Sequence, residues 1–133
     1  MARYFVGQIA KQVGVNVETI RYYERIKLLP RPKRIESRYR IYDEMDLKRL
    51  LFIKHAKELG FTLREIKELI ELRIDSKAKC KDVKSLTENK LRDIDNRIRV
   101  LQNIRKVLVK LIDQCVNEEI SSMECPILEA IEL

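Results

Sequence analysis

The feature that most constrains this chain is a long segment without helix-breaking residues. Residues 81–114 contain neither glycine nor proline. Apolar side chains recur there at alternating spacings of three and four, the repeat of a coiled-coil helix. They are Leu91, Ile94, Ile98, Leu101, Leu108 and Ile112, broken once by Arg105, with a second apolar line through Val100, Ile104, Val107 and Leu111. Such a helix cannot bury this face alone, so the sequence predicts a partner.

Two cysteines flank this segment. Cys80 and Cys115 are 35 residues apart, which corresponds to about 50 Å along a helix that rises about 1.5 Å per residue. One chain therefore cannot bring both thiols to one ion. If two copies pair antiparallel, Cys80 of one chain meets Cys115 of the other, and Cys125 folds back to the same place. Three sulfurs would then converge at each end of a symmetric dimer.

Composition favours a small cytoplasmic protein. The chain has 133 residues, 45% of them hydrophobic, which suits one small domain, or two very small ones, with a limited core unless it oligomerises. It has no apolar run that could cross a membrane, and its start, MARYFVGQIAKQ, lacks the apolar segment of a signal peptide. Three cysteines are an odd number, as expected of free thiols in a reducing compartment.

Positive charge is concentrated in the first half of the chain. Residues 1–75 contain 17 Lys and Arg against 11 Asp and Glu, a net charge of +6, whereas residues 76–133 contribute +1. Residues 21–40 alone hold eight basic side chains against two acidic ones. This concentration suits contacts with phosphates, and a solvated basic face is the simpler alternative.

The first 25 residues have the pattern of a helix-turn-helix. One short apolar helix ends at Gly14, and Asn16 can cap a second helix. Two short helices joined by a tight glycine-containing turn place the second helix in the DNA major groove. The residues that this helix would bring to base edges or backbone are Glu18, Thr19, Arg21 and Tyr22.

A basic hairpin is predicted next. Pro30 and Pro32 exclude a helix, whereas the alternating aromatic and basic residues that follow fit a short β wing. Its candidates for phosphate contact are Arg38, Tyr39, Arg40 and Tyr42. A tyrosine-packed hairpin with exposed arginines is the alternative.

Two more helices complete this part. Asp43 is expected to cap the third helix, which ends at Gly60, and Thr62 with Glu65 forms a capping box for the fourth. The one histidine, His55, lies on the third helix, far in sequence from every cysteine. We assign it a structural or DNA-side role and not a metal-binding one.

The positions of two cysteines suit thiolate chemistry. Cys80 falls where the long helix begins, between two lysines, and Cys125 precedes Pro126, a favoured first helical residue. A helix N-terminus favours negative charge, so both sulfurs are expected to bind as thiolates. Cysteines that merely fill small apolar sites are the alternative, which suits Cys115 but explains neither of the others.

These motifs together resemble the MerR family of transcription regulators. The resemblance covers nearly the whole chain, from IAKQVGVNVETIRYYE through the wing at residues 38–43 and LGFT at residues 59–62 to the cysteine-flanked helix, and RYYE is a specific family signature. It implies a mainly α fold: a winged helix-turn-helix DNA-binding domain, a long antiparallel coiled-coil dimerisation helix, and a short C-terminal metal-binding loop and helix.

The expected division has three regions. Residues 1–75 would form the winged helix-turn-helix domain with its two following helices. Residues 76–116 would form the hinge and the dimerisation helix, and residues 117–133 the metal-binding loop and the short C-terminal helix.

The cysteine pattern is similar to that of the mercury-sensing members. Their three cysteines occupy positions like Cys80, Cys115 and Cys125, the third followed by proline and apolar residues, as in CPIL here. Copper-sensing relatives have serine at the first position, and zinc-sensing relatives usually add a cysteine beside the middle one and a histidine in the loop. Here the loop is one residue longer than in mercury sensors, and Arg38 stands where relatives often have glycine. The resemblance implies a site made of Cys80 from one subunit and Cys115 and Cys125 from the other.

The donor chemistry agrees with this resemblance. Thiolates are soft ligands that prefer soft cations, whereas zinc usually takes four ligands. Three sulfurs therefore favour three-coordinate Hg(II), with one ion per site and two sites per dimer. Because Glu118, Glu119 and Glu124 lie in the loop and carry oxygen ligands, Pb(II), Cd(II) or Zn(II) stays open as the alternative.

The resemblance implies a Hg(II)-responsive regulator of a mercury-resistance operon, a repressor without metal and an activator with it. Such a homodimer would bind a palindromic promoter operator, act with RNA polymerase by distorting the DNA, and need no membrane. A cytosolic metal-buffering thiol protein is the alternative from another class. An enzyme has little support, because the chain has three glycines, one histidine and no phosphate loop or paired-carboxylate motif.

Overall fold

The computed structural model describes residues 3–32, 34–36 and 39–133, with side chains described for 3–32 and 39–133. In chain order the α-helices and strands are β1 (Tyr4–Phe5), α1 (Val6–Val13), α2 (Val17–Arg25), β2 (Arg34–Glu36), β3 (Tyr39–Tyr42), α3 (Glu44–Glu58), α4 (Leu63–Ile74), α5 (Cys80–Asp113) and α6 (Pro126–Glu132), with a short 3-10 helix at Ser122–Glu124 before α6. The chain divides into two compact units, Met1–Leu86 and Thr87–Leu133, with the boundary inside α5. The fold is mainly helical, as predicted.

The helix-turn-helix forms at the predicted residues. Helix α1 ends at Val13, and its C-cap Gly14 has a φ of 87°, a left-handed value that suits glycine. Asn16 caps α2, since its side-chain oxygen accepts a hydrogen bond from the Thr19 backbone N–H at 2.8 Å. Both signals are local in sequence, which is why the turn could be located without the structure.

One hydrophobic core holds the first unit together. Helices α1 to α4 each contribute one apolar face to it, and Leu28, Leu29 and Tyr42 close it from the turn and the wing. The core residues of the helices are Ile9, Ala10, Val13, Ile20, Tyr23, Leu47, Leu50, Ile53, Ala56, Ile66 and Ile70. The wing and the helix-turn-helix therefore share one packed interior.

The wing, which is the hairpin of β2 and β3, joins β1 in a three-stranded antiparallel sheet ordered β1, β3, β2. Arg40 of β3 pairs with Ile35 of β2, and Tyr42 of β3 pairs with Tyr4 of β1. The hairpin was predicted, but β1 was not, because a two-residue strand has no readable alternation. The sequence near the N-terminus therefore ties the wing to α1.

Helix α3 fixes the helix-turn-helix by two long basic side chains. The Lys54 ammonium donates to the Val13 carbonyl at 2.8 Å, and Arg49 Nη1 donates to the Leu28 carbonyl at 3.4 Å. Val13 is the last residue of α1, so its carbonyl has no partner within that helix. Leu28 lies three residues after the end of α2. The predicted helix starts also form: Asp43 accepts from the Asp46 backbone N–H, and Thr62 and Glu65 make a reciprocal capping box.

Helix α5 is the long helix that the sequence predicts. Its 34 residues end at Asp113, two residues before Cys115. Most of its predicted apolar face lies exposed in the single chain, at Leu91, Ile98, Val100, Leu101, Ile104, Val107, Leu108 and Ile112. Lys90 on the same helix is buried, with its ammonium 3.6 Å from the Asp93 carboxylate. In the described part of the chain, no helix is both long and apolar enough to span a bilayer.

Lys27 is in an unfavourable backbone conformation at the end of α2. Its φ is 63°, a left-handed value that costs a residue with a Cβ about 1–2 kcal/mol. The Lys27 N–H donates to the Glu24 carbonyl, and the Leu28 N–H reaches back to the Tyr23 carbonyl at 2.9 Å. This wrapped helix end requires the positive φ whatever the side chain.

Replacing Lys27 with glycine is therefore expected to stabilise the protein by about 0.5–1 kcal/mol, because the relieved conformational cost exceeds the backbone entropy that glycine loses on folding. Urea denaturation measures the change. Lys67→Gly is the control, since Lys67 is exposed within α4 and a glycine there should destabilise by about 1 kcal/mol. Destabilisation by both variants would contradict the strain at Lys27.

Candidate nucleic-acid interface and metal centre

The outer face of α2 presents the side chains predicted to read DNA. Glu18, Arg21 and Tyr22 are exposed, and Arg21 Nη1 lies 3.4 Å from the Glu18 carboxylate. Thr19 is half-buried, and its hydroxyl donates to the Asn16 side chain at 2.8 Å. The cap thus fixes the first turn of α2 while the exposed residues stay accessible to a ligand.

An exposed aromatic and cationic pair extends this face. The Arg25 guanidinium carbon lies 5.5 Å from the centre of the Tyr22 ring, within the range of a cation–π contact. Arg25 is one of the eight basic side chains of residues 21–40, but the prediction for the α2 contacts did not include it. Its spacing of three residues from Tyr22 on a helix is the signal that would have found it.

The wing offers two described candidates for backbone contact. Tyr39 is exposed, and its ring packs edge-on against Phe5 at 5.7 Å between ring centres. Arg40 is 45% exposed, and its Nη1 donates to both oxygens of the Glu24 carboxylate, at 2.7 and 3.0 Å. The third predicted wing residue, Arg38, lies outside the described residues.

Tyr42 has a different position from the one expected of a phosphate contact. Its side chain is fully buried, and its hydroxyl donates to Glu24 at 2.9 Å. The hydrogen bond from its hydroxyl to Glu24 holds the wing from inside, so Tyr42 is not among the proposed DNA contacts. In the sequence, Glu24 was recognised as part of the family signature RYYE, but no contact was predicted for it.

Buried negative charge is a feature of this region. Burial raises the pKa of Tyr42 to about 12, and the hydrogen bond and charge of Glu24 add to the effect. Burial also raises the pKa of Asp46, and the negative charges of the nearby Asp43 and Glu24 carboxylates raise it further. The neutral Tyr42 hydroxyl is thus the form that the fold stabilises.

The stability that this hydroxyl contributes should be complete below pH 10 and lost as the pH rises towards 12. We expect wild type to be more stable than Tyr42→Phe at pH 8 and this difference to narrow between pH 10 and 12. Urea denaturation across that range measures it. Tyr39→Phe serves as the control, because Tyr39 is exposed. A difference independent of pH would show that the hydroxyl is not held as described.

The three cysteines lie at or beside helix ends. Cys80 is the first residue of α5 and is exposed, Cys115 follows the end of that helix and is half-buried, and Cys125 is the N-cap of α6 and is half-buried. All three are free thiols. Lys79, just before α5, donates its backbone N–H to the Asp82 carboxylate at 2.8 Å, so the helix start at Cys80 is fixed.

The loop between the last two cysteines is locally organised. Asn117 Oδ1 accepts from the Glu119 N–H at 3.1 Å, and Ser121 Oγ accepts from the Met123 N–H at 3.2 Å. The carboxylates of the loop, Glu118, Glu119 and Glu124, belong to exposed residues. Among the described residues of the single chain, no three His, Cys, Asp or Glu side chains are grouped as a metal site. The metal donors that the chain offers here are three soft thiols with hard oxygens nearby in sequence.

Comparison with known proteins shows the family. Residues 4–72 match the MerR HTH family regulatory protein profile, and residues 47–111 match the profile described as MerR, DNA binding. The two matches together span the helix-turn-helix, the wing and nearly all of α5.

Individual relatives match over nearly the whole chain. The Bacillus cereus mercuric resistance operon regulatory protein is 43% identical, covering 97% of each chain. The HTH-type transcriptional regulator ZntR of Escherichia coli K12 is 41% identical, covering 97% of this chain and 92% of the relative. The crystal structure of the transcription regulator PbrR691 from Ralstonia metallidurans CH34, in complex with lead(II), is 33% identical with a TM-score of 0.83, covering 96% of this chain and 98% of that one.

The helix-turn-helix, the wing, the long helix and these matches have one explanation. Regulators of this family bind promoter DNA as dimers. The chain belongs to the MerR family of transcription regulators and is one of its metal-responsive members.

Proposed function

We propose that the chain is a mercury(II)-responsive regulator that represses a mercury-resistance operon without metal and activates it with metal. The observation that carries the proposal is the set of three free thiols, Cys80, Cys115 and Cys125, at or beside helix ends. The 43% identity to a mercuric resistance operon regulatory protein supports the same conclusion.

Each metal site is assembled from two subunits, with Cys80 from one and Cys115 and Cys125 from the other. Two observations support this arrangement. The sequence places about 50 Å of helix between Cys80 and Cys115, and the apolar face of α5 is exposed in the single chain. Antiparallel pairing through that face covers it and brings the three sulfurs together at each end of the homodimer.

The donor set suits a soft divalent cation. Three thiolates would bind Hg(II) strongly and so link the two chains. The charge of +2 against three thiolates leaves −1 at each site, and the exposed neighbours Lys79 and Lys81 of Cys80 offset it. Two ions per homodimer follow from the two-fold symmetry.

On DNA, the exposed face of α2 would enter the major groove through Glu18, Thr19, Arg21 and Tyr22. The wing would contact the backbone through Tyr39 and Arg40, and through Arg38, which lies outside the described residues. A two-fold dimer reads a palindromic operator, here within a promoter occupied by RNA polymerase in the cytoplasm. Regulation then proceeds by changing the shape of the promoter DNA.

A response to another metal is the second candidate. The exposed carboxylates of Glu118, Glu119 and Glu124 are oxygen donors near Cys125 in sequence, which favours Pb(II), Cd(II) or Zn(II) over a purely sulfur-bound ion. A relative of 33% identity was crystallised with lead(II). The DNA-binding part of the proposal is the same for either candidate.

Metal-dependent transcription tests the proposal. The reduced protein is footprinted on the DNA immediately upstream of its own gene, and transcription with RNA polymerase is followed during titration with Hg(II), Pb(II), Cd(II) or Zn(II) in excess thiol. We expect Hg(II) to activate at the lowest concentration, by about tenfold or more. Cys80→Ser should abolish activation and keep the footprint, and Ser85→Ala on the same helix should change neither.

Each other outcome has a distinct meaning. Activation led by Pb(II), Cd(II) or Zn(II) would reassign the metal. Loss of the footprint in Cys80→Ser would make that cysteine structural. Tight metal binding with neither a confined footprint nor a transcriptional response would identify a metal-buffering protein instead.

Mixed dimers test the shared site. Cys80→Ser and Cys115→Ser homodimers should each lack a complete site. A heterodimer of the two variants keeps one complete site if the donors come from different subunits, because the Cys115→Ser chain supplies Cys80 and the Cys80→Ser chain supplies Cys115 and Cys125. The lower-energy charge-transfer absorption of Hg(II) bound by three thiolates, which the two thiolates left in the Cys80→Ser homodimer cannot give, should therefore reappear on mixing. Its continued absence in verified heterodimers would place all donors of a site in one subunit.

A further inference from the structure

Glu24 has an unusual place on the helix that faces DNA. It belongs to α2, yet it is buried, with only 2% of its side chain exposed. Its carboxylate accepts hydrogen bonds from Arg40 and from the Tyr42 hydroxyl. Burying a carboxylate costs free energy of folding unless the charge is paired and hydrogen-bonded. The two partners on the wing therefore stabilise the buried carboxylate of Glu24.

The two partners occupy alternate positions of the central strand. Arg40 and Tyr42 are two residues apart on β3, so their side chains leave the same face of the strand. Arg40 is also paired with β2, and Tyr42 with β1. One carboxylate of α2 therefore holds the middle strand of the sheet at two points, which sets the direction of the wing relative to the helix.

The contact leaves part of Arg40 accessible. Both bonds to Glu24 come from Nη1, whereas a guanidinium has donors on three nitrogens in a fixed plane. The side chain is 45% exposed. Holding one nitrogen fixes the plane of the group, and so the direction in which its other nitrogens can donate.

The charges around Glu24 make Arg40 the partner that matters. Asp46 adds negative charge close to Glu24, and Tyr42 contributes a neutral hydroxyl. Among these neighbours Arg40 is the cation. The ion pair thus offsets the negative charge of the buried Glu24 carboxylate. It also orients the guanidinium of Arg40, which is partly exposed.

We propose that Glu24 is a positioning residue for DNA binding: it aims the Arg40 guanidinium at a backbone phosphate while α2 lies in the groove. This inference rests on the proposed DNA-binding function. In DNA the distance between the groove and the backbone phosphates is fixed. If the wing is already held at the right angle to α2, the helix can enter the groove and Arg40 can reach a phosphate without a further loss of conformational entropy on binding. Glu24 itself has no contact with the nucleic acid.

A double-mutant cycle on the full-length protein tests the inference. The probe is the duplex protected in the footprinting experiment, and operator affinity is measured at several salt concentrations. Glu24→Gln, of the same shape but uncharged, should weaken binding by about five- to tenfold, the size of one charge-assisted hydrogen bond. Arg40→Met should weaken binding and lower the salt slope by about one phosphate contact. In the Arg40→Met background, Glu24→Gln should change affinity less than about twofold.

A merely structural role gives a different result. Ile70→Val is the control, because Ile70 is buried in α4 and remote in sequence from the wing; it should lower the melting temperature and keep operator affinity. If Glu24→Gln weakens binding equally with and without Arg40, or does not weaken it at all, the inference is overturned. An Arg40→Met salt slope equal to that of wild type also overturns it, since Arg40 then contacts no phosphate. A wild type without a confined footprint overturns the proposed function itself.

Discussion

The exposed apolar face of α5 is the constraint on which the rest of the molecule depends. Burying one such Leu, Ile or Val side chain stabilises a protein by about 1.5–3 kcal/mol, and eight side chains of the predicted face of α5 lie exposed. An isolated helix gains little from its own hydrogen bonds in water. The sequence of α5 is therefore that of half an interface, and the proposed metal sites depend on the chain that completes it.

The first unit is organised in the opposite way, around a core of its own. Four helices and the wing bury their apolar residues within one chain. Polar groups then fix orientation: Lys54 and Arg49 hold the ends of α1 and α2, and Glu24 holds the wing. Packing makes this unit stable, and these few polar contacts determine the angles between its elements.

Most of the fold could be predicted because its signals are local. Gly14, Asn16, Asp43 and the capping box at Thr62 mark helix ends within a few residues, and the three-and-four spacing marks α5. The two-residue strand β1 and the burial of Tyr42 could not be predicted, since both depend on contacts between residues about 40 and 18 positions apart in sequence. The candidate metal site divides in the same way: the three cysteines could be identified from the sequence, whereas the proposed convergence of their sulfurs requires a second chain.

The basic side chains of α3 also determine how the DNA-reading surface can move. Lys54 is bonded to the last residue of α1, Arg49 is bonded to the Leu28 carbonyl in the turn after α2, and α1, α2 and α3 share one core. Movement of either helix relative to α3 would therefore disturb these contacts. Helices α1, α2 and α3 are therefore expected to move together as one rigid body. A signal that alters the shape of bound DNA would have to rotate this rigid body as a whole. In a dimer, the two halves of an operator would then be rotated relative to each other, while the protein surface that contacts each half keeps its structure.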